Sequence, residues 1–410
     1  MFRKLLTIEE AKTTIRQHFK PKPLGTEQVP LLQATGRILA ENIIAQLNIP
    51  PFDRSTVDGY AVRAEDTFGA EETRPIQLEL AGTINIGELP HVKITKGKAA
   101  EIVTGAPTPQ GADAVVMTEH AERTDNTIRI YAPVVKDENI MKASSDIKKG
   151  QQLLTTCQPL GSREIGMIAA IGKPTIKVYK IPKVAVLSTG PEITEPGKRL
   201  TPGKIYDINA YTLSSAVTEA GGSPLYLGVI QDNLQQLQRA LKRGLAQADM
   251  VITSGGVSVG PRDIMPNAAN TLGKPGTIVS GISIKPGKPT TVASALGKPI
   301  FSLPGHPASA LLVMHLLARP LIQQLAGKEP QQSPQTKAYA TARLFPAKGR
   351  RTYIMVTLKR SETGKQTAEP LPTSQSGAIT TLAKADGYIE IPENTQFIEK
   401  DEQCIVHKFR

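Results

Sequence analysis

"DMVITSGGVSVGPRDIMP", residues 249–266, is an apolar run that ends abruptly in a glycine-rich loop. An apolar segment of this length bounded by turn residues reads as a buried strand. Glycines let successive backbone N–H groups converge on an anion, so Ser254, Gly255, Gly256, Ser258 and Gly260 are candidates to hold phosphate. No G-x-x-x-x-G-K-[ST] motif occurs, and the loop delivers a carboxylate, Asp263, where a phosphate loop has its lysine. Outward from the loop, the chain alternates short apolar strands with helical patterns. The order is strand "KVAVLST" (183–189), helix "NAYTLSSAVTEAGG" (209–222), strand "PLYLGVI" (224–230) and helix "NLQQLQRALKRGLAQA" (233–248). Strand "PIFSLPG" (299–305) and a helix from Pro307 follow the loop. This alternation predicts an α/β unit, a parallel sheet with helices on both faces, whose ligands bind at the carboxyl ends of the strands.

Acids stand beyond three of those strand ends: Glu192, Asp232 and Asp263. A carboxylate about 4 Å from a phosphate costs roughly 4 kcal/mol at an effective dielectric of about 20. A divalent cation removes that cost, so Asp232, Asp263 and Glu192 are candidate ligands for Mg2+, which prefers carboxylate, water and phosphate oxygens. Two other readings of Asp263 stay open, as a cap on the following helix or as a partner of Arg262. In "SIKPGKPT" (283–290) Lys285 and Lys288 sit on a proline-braced turn. The Pro304-Gly-His-Pro307 turn then opens a helix, with Pro307 in the first turn where proline is tolerated. Two lysines on a stiff loop near a helix N-terminus suit a compact oxyanion, although solvated lysines without a role are the plainer alternative. His306 and His315 lack the spacing of a metal pair.

Length divides the rest. At 410 residues several compact units are expected. Two helical patterns fill the first fifty residues, the second around "TEQVPLLQATGRILAENI", and stop at Pro50-Pro51. Residues 51–145 are short β-rich runs, an inserted module; 146–180 returns to a loop-helix pattern expected to pack with 1–50; 181–328 is the α/β unit; 329–410 reads as a small all-β domain. The inserted module places Asp58 beside Gly59 and Thr104 beside Gly105, both in tight turns that Asx-type bonding would also explain.

Hydrophobic residues make up 40% and charged residues 21%, the balance of a globular chain rather than a disordered one. The formal charge of +12 admits polyanions, but basic residues are dispersed and aromatics are only 4%, so nucleic acid is not the expected partner. Two distant cysteines, Cys157 and Cys404, exclude a disulfide framework and fit a reducing, cytoplasmic compartment. The most apolar helix pattern, "ASALLVMHLLARPLI", is broken by His315, Arg319 and Pro320, so no membrane association is expected. No G-x-S-x-G or H-E-x-x-H occurs to support hydrolase or zincin chemistry.

In chain order, "PPFDRSTVDGYAVR", "IVTGAPTPQGADAVV", "VAVLSTGPEI", "YDINAY", "SGGVSVGPRD", "KPGKPT" and "LPGHPASA" closely resemble the molybdopterin molybdenumtransferase family, MoeA and the related E domains of gephyrin-like proteins. The resemblance implies an elongated four-domain homodimer with its cleft between the α/β unit of one subunit and the inserted module of the other. It also implies the reaction, magnesium-dependent insertion of molybdate into adenylylated molybdopterin with release of AMP, and a molybdopterin adenylyltransferase as a possible partner. The family's functional positions fall on Asp58, Thr104, Asp146, Glu192, Asp232, Asp263, Lys285, Lys288 and Ser376. This chain departs from the family pattern in having Met141 and Met355 where arginines are usual and Ser144-Ser145 where Gly-Glu is usual. Those departures motivate an alternative, a catalytically impaired paralogue that carries molybdopterin or acts as a scaffold.

Overall fold

The computed structural model describes residues 5–256, 264–330, 333–361, 364–371 and 379–409. At its centre is a six-stranded sheet. Its strands in chain order are β1 (Lys183–Thr189), β2 (Ser223–Ile230), β3 (Met250–Ser254), β4 (Gly276–Ser280), β5 (Thr291–Ala295) and β6 (Lys298–Leu303). Their spatial order is β2-β1-β3-β6-β5-β4. The first four are parallel, as the strand-helix alternation predicts. The sheet is nevertheless mixed, because β5 returns antiparallel to β6 through a tight turn and β4 pairs antiparallel with β5. Only two residues, Leu296 and Gly297, separate β5 from β6, too few for a parallel crossover, which needs a dozen or more.

Alternation along β1 assigns its side chains to two layers. Val184 and Val186 face a core with Ile252, Phe301, Val313 and Leu317, whereas Ala185 and Leu187 face Leu237, Leu241, Val251 and Ile300 on the other side. The helix Ile8–Phe19, fixed at its start by a capping box between Thr7 and Glu10, buries Ile8, Ala11 and Ile15 in the first of these cores. The expected second N-terminal helix is absent. Thr26–Pro30 is instead a strand, antiparallel to Thr175–Tyr179, followed by one 3-10 turn. Pro30 lacks the N–H a helix interior needs, and an edge strand does not need it. Val29, Leu39 and Ile43 then form a separate core with Leu154, Ile168 and Val178.

The inserted module is a six-stranded sheet from Gly59–Val62 to Thr127–Ile130 with its own core of Val62, Leu78, Val116 and Ile128. In the C-terminal unit, Arg351–Arg360 pairs with both Gln366–Pro370 and Gly387–Ile391, which closes five strands into a barrel-like ring. The short helix Ile379–Lys384 joins this otherwise β-built unit. The helical run Pro307–Leu325 has the length and hydropathy of a membrane span, but two thirds of it is buried in the α/β core.

Phe301 is fully buried where strand and helix layers meet. Phe301→Ala is expected to destabilise the α/β unit by about 3–5 kcal/mol, read as a shift of that unit's urea transition with the others unmoved.

Candidate functional site

The ends of β1, β3 and β6 converge. A side chain at residue 255 would run into the carbonyl oxygen of Thr189, and one at 256 into its hydroxyl, so only glycine lets the loop after β3 cross the end of β1. Both glycines also have positive φ, at 88° and 67°. The Gly255 N–H donates to the Leu303 carbonyl at 3.2 Å, extending the β3–β6 pairing by one residue. That corrects the reading in which every N–H from 255 onward faces an anion: among the described glycines, Gly256 is the first whose N–H is left for one. Ser258, Gly260 and Asp263 lie outside the described residues, as does Ser376.

Glu192 and Asp232 lie beyond the β1 and β2 ends, both open to solvent. Desolvation by the surrounding strand ends, followed by the negative charge of Glu192, holds the Asp232 carboxyl above its ordinary range, with the Thr189 hydroxyl acting in the opposite sense. An Asp232 carboxyl whose proton affinity a neighbouring carboxylate raises belongs to a donor set suited to a hard divalent cation. Among the described residues no group of three His, Cys, Asp or Glu side chains is placed to hold a metal. Glu192 and Asp232 are two of the three residues expected to ligate magnesium; the third, Asp263, lies outside the described residues.

A second concentration of charge has the opposite sign. Lys285 lies on a two-residue strand, Ile284–Lys285, that pairs in parallel with Arg351 and Thr352, tying the lysine turn to the C-terminal sheet. Gly287, at φ 112°, lets the turn lie against Ile284 and Val313, and the Thr290 hydroxyl donates to the Gly287 carbonyl at 2.7 Å. The turn thus forms one wall of a cavity of about 280 Å³. Pro304, His306 and Ser309 form another, and Arg350, Tyr353 and Met355 close it from the C-terminal unit. Lys285, Lys288 and Arg350 have no acidic partner among the described residues, whereas the adjacent Arg351 is bonded to Glu390 at 3.0 Å and Glu393 at 3.2 Å. The Tyr353 hydroxyl is buried without a hydrogen-bond partner among the described residues, and burial raises its pKa. Pro307 is buried at the first turn of its helix and stays out of the cavity wall. Arg350 was missed among the candidates. Its signal was the "KGRR" run (348–351), basic residues in the turn that leads into the strand Arg351–Arg360.

The inserted module holds a third group. The Asp58 carboxylate accepts from the Thr104 N–H at 2.6 Å and from the Thr104 hydroxyl at 2.8 Å, and these two bonds hold its pKa below the ordinary range. Gly59 is required beside it because any side chain there would strike the Val116 carbonyl on the neighbouring strand. Asp146 is exposed at the root of the module, its N–H donating to Ile49 at 3.1 Å. Nearby, Met141 accepts a weak bond from the Arg54 guanidinium at 3.4 Å. Among the described residues, no hydrogen bond or ion pair joins these groups to the strand ends or to the cationic cavity.

Gly255 and Gly256 at the strand ends, an acidic pair and a cationic cavity without acidic partners among the described residues are features suited to phosphorylated and oxyanionic small molecules. The chain belongs to the MoeA family: residues 6–172 match the MoeA N-terminal region (domains I and II), 185–324 a probable molybdopterin binding domain, and 337–409 the MoeA C-terminal region (domain IV). It is 34% identical over 386 residues to the molybdopterin molybdenumtransferase of Bacillus subtilis, covering 93% of this chain and 89% of that one. To the Haemophilus influenzae protein of the same name it is 32% identical over 407 residues, 99% of both chains. The crystal structure of the molybdopterin biosynthesis MoeA protein from Pyrococcus horikosii superposes with a TM-score of 0.86 at 40% identity, covering 99% of this chain and 100% of that one. Relatives named as transferases along the full length do not favour the carrier or scaffold alternative.

Glu192→Gln removes the charge that faces Asp232, so the Asp232 pKa should fall toward the ordinary carboxylate value in a carbon-detected NMR titration. A raised folded pKa means stability that is present below the ordinary carboxylate range and lost as pH rises through the raised value; the variant should lose less on that rise. Thr104→Ala has the opposite sign. Asp58 loses a donor, its pKa should rise, and the part of its stabilisation that persists until pH falls through the depressed value should disappear earlier on acidification.

Proposed function

We propose that this protein inserts molybdate into adenylylated molybdopterin and releases AMP, acting as a molybdopterin molybdenumtransferase in the cytoplasm. The observation that carries the reading is the cavity in which Lys285, Lys288 and Arg350 meet without an acidic partner, beside the loop that begins at Gly256. A tetrahedral dianion satisfies such a cavity, since each charge-assisted hydrogen bond contributes about 1.5–3 kcal/mol.

The protein's part is placement. Gly256 and the loop after it receive the substrate's phosphate oxygens, and the Thr189 backbone fixes where that loop lies. Lys285, Lys288 and Arg350 orient molybdate toward the dithiolene, and the buried Tyr353 hydroxyl supplies a further donor. The substrate brings its own sulfur ligands, so no protein nucleophile is needed. Glu192 and Asp232, with Asp263, would hold magnesium, which when bound neutralises phosphate charge beside the carboxylates. Asp146 and Ser376 are proposed to contact the nucleotide-linked pterin. Asp58 and Thr104 are proposed to complete the cleft from a second copy of the chain, in a homodimer, since no hydrogen bond or ion pair among the described residues links them to the cavity. A molybdopterin adenylyltransferase is the proposed source of substrate, and the units 1–50 with 146–180, 51–145, 181–328 and 329–410 the proposed division of labour.

The test is to mix protein, adenylylated molybdopterin and magnesium and to follow AMP with and without molybdate. AMP that appears only with molybdate supports the reading; pterin binding with no response to molybdate refutes it. Lys288→Ala and Arg350→Ala should each raise the KM for molybdate about 10- to 100-fold while pterin affinity stays within a few-fold, as measured by steady-state kinetics and fluorescence quenching.

A further inference from the structure

Asp207 and Asn209 lie in "YDINAY", a stretch to which no role has so far attached. Asp207 is almost wholly buried and accepts from the Ser188 hydroxyl on β1 at 2.8 Å, from the Ala210 N–H at 3.0 Å and from the Tyr226 hydroxyl on β2 at 3.3 Å. These bonds fix the start of the helix Asn209–Glu219 against the ends of β1 and β2. Asn209, the first residue of that helix, then reaches across the sheet. Its Nδ2 donates to the Ser254 hydroxyl oxygen at 2.7 Å and to the Gly305 carbonyl at 2.6 Å, and the Ser254 hydroxyl in turn donates to the Pro304 carbonyl at 3.2 Å. The Asn209 Oδ1 is buried with no donor among the described residues. A flipped amide would turn that oxygen onto the Gly305 carbonyl, so the geometry admits one orientation.

We infer that Asn209 is a positioning residue that clamps the glycine loop after β3 to the Pro304–Pro307 turn after β6, and so sets the spacing between the phosphate-binding loop and the oxyanion cavity. The inference rests on the proposed reading of those two sites. Its physical basis is that the clamped turn carries Pro304, His306 and Ser309, which wall the cavity, while the clamped loop begins at Gly255. Neighbouring parallel strands hold Ser254 opposite Leu303, but beyond that pair the Gly255–Leu303 bond is the one backbone tie between the loop and the turn among the described residues. A misplacement of about 1 Å between two reacting groups can cost on the order of 100-fold in rate, so a side chain that fixes this spacing acts on turnover rather than on affinity.

Asn209→Ala removes both donors, and Asn209→Asp keeps the shape while setting a carboxylate against the Gly305 carbonyl. Both should speed amide hydrogen exchange at 254–256 and at Gly305 and His306 about tenfold in the substrate-free protein, with exchange in β1 and β5 unchanged. Both should lower kcat about 10- to 100-fold with little change in either KM. Unchanged exchange in both segments, or faster exchange with kcat within about twofold of the parent, overturns the inference. If the alanine variant fails to fold, the isosteric Asn209→Asp decides. If the parent protein itself shows no molybdate-dependent AMP release, the functional reading falls, and hydrogen exchange alone then decides whether the clamp exists.

Discussion

Positive charge that no acid neutralises, fixed on backbone that cannot yield, is the constraint on which this molecule depends. Like charges about 6 Å apart repel by roughly 3 kcal/mol at an effective dielectric of about 20. Lys285, Lys288 and Arg350 nevertheless share one cavity, and among the described residues acids pair with their neighbour and not with them. Arg351, the next residue and the first of the strand, is paired with Glu390 and Glu393. The lysine turn cannot swing away, because Ile284–Lys285 is hydrogen-bonded into the C-terminal sheet and Gly287 is pressed against Val313. Such an arrangement is stable when an anion completes it, and that anion then binds in one place.

The acids are kept apart from these cations. Glu192 and Asp232 sit beyond β1 and β2, and no ion pair among the described residues joins them to Lys285, Lys288 or Arg350. Between the two zones the chain leaves β3 at Gly255 and Gly256, held close over the end of β1 by the absence of side chains there. On the proposed reading, a substrate carrying both phosphates and a soft metal-binding end would meet a counterpart for each part: the acids, through a bridging cation, for the phosphate oxygens and the unpaired cations for the incoming oxyanion. The separation lets opposite fields persist within one cleft without cancelling.

Much of this was legible in the sequence. Four strands of the central sheet, the helices between them and the proline-braced lysine turn follow from hydrophobic periodicity and turn chemistry, which are local. What escaped depends on contacts distant in sequence. Thr26–Pro30 carries apolar spacing compatible with a helix, and only its pairing with Thr175–Tyr179 makes it a strand. β4 and β5 lie in a stretch dense with glycine and proline, and their antiparallel return is set by the short turn at Leu296 and Gly297. Arg350 looked like one more surface cation until the two domains closed over it. The clamp through Asn209 was invisible for the same reason, since nothing in "YDINAY" reveals that its amide spans two other strand ends.

The most direct measurement is a crystal structure of the full chain soaked with tungstate, a heavy analogue of molybdate, with anomalous diffraction locating the metal. The account predicts one strong site between Lys285, Lys288 and Arg350, within hydrogen-bond reach of all three side chains. An oxyanion that occupies only the glycine loop, or scatters over surface lysines and leaves this cavity empty, would contradict it.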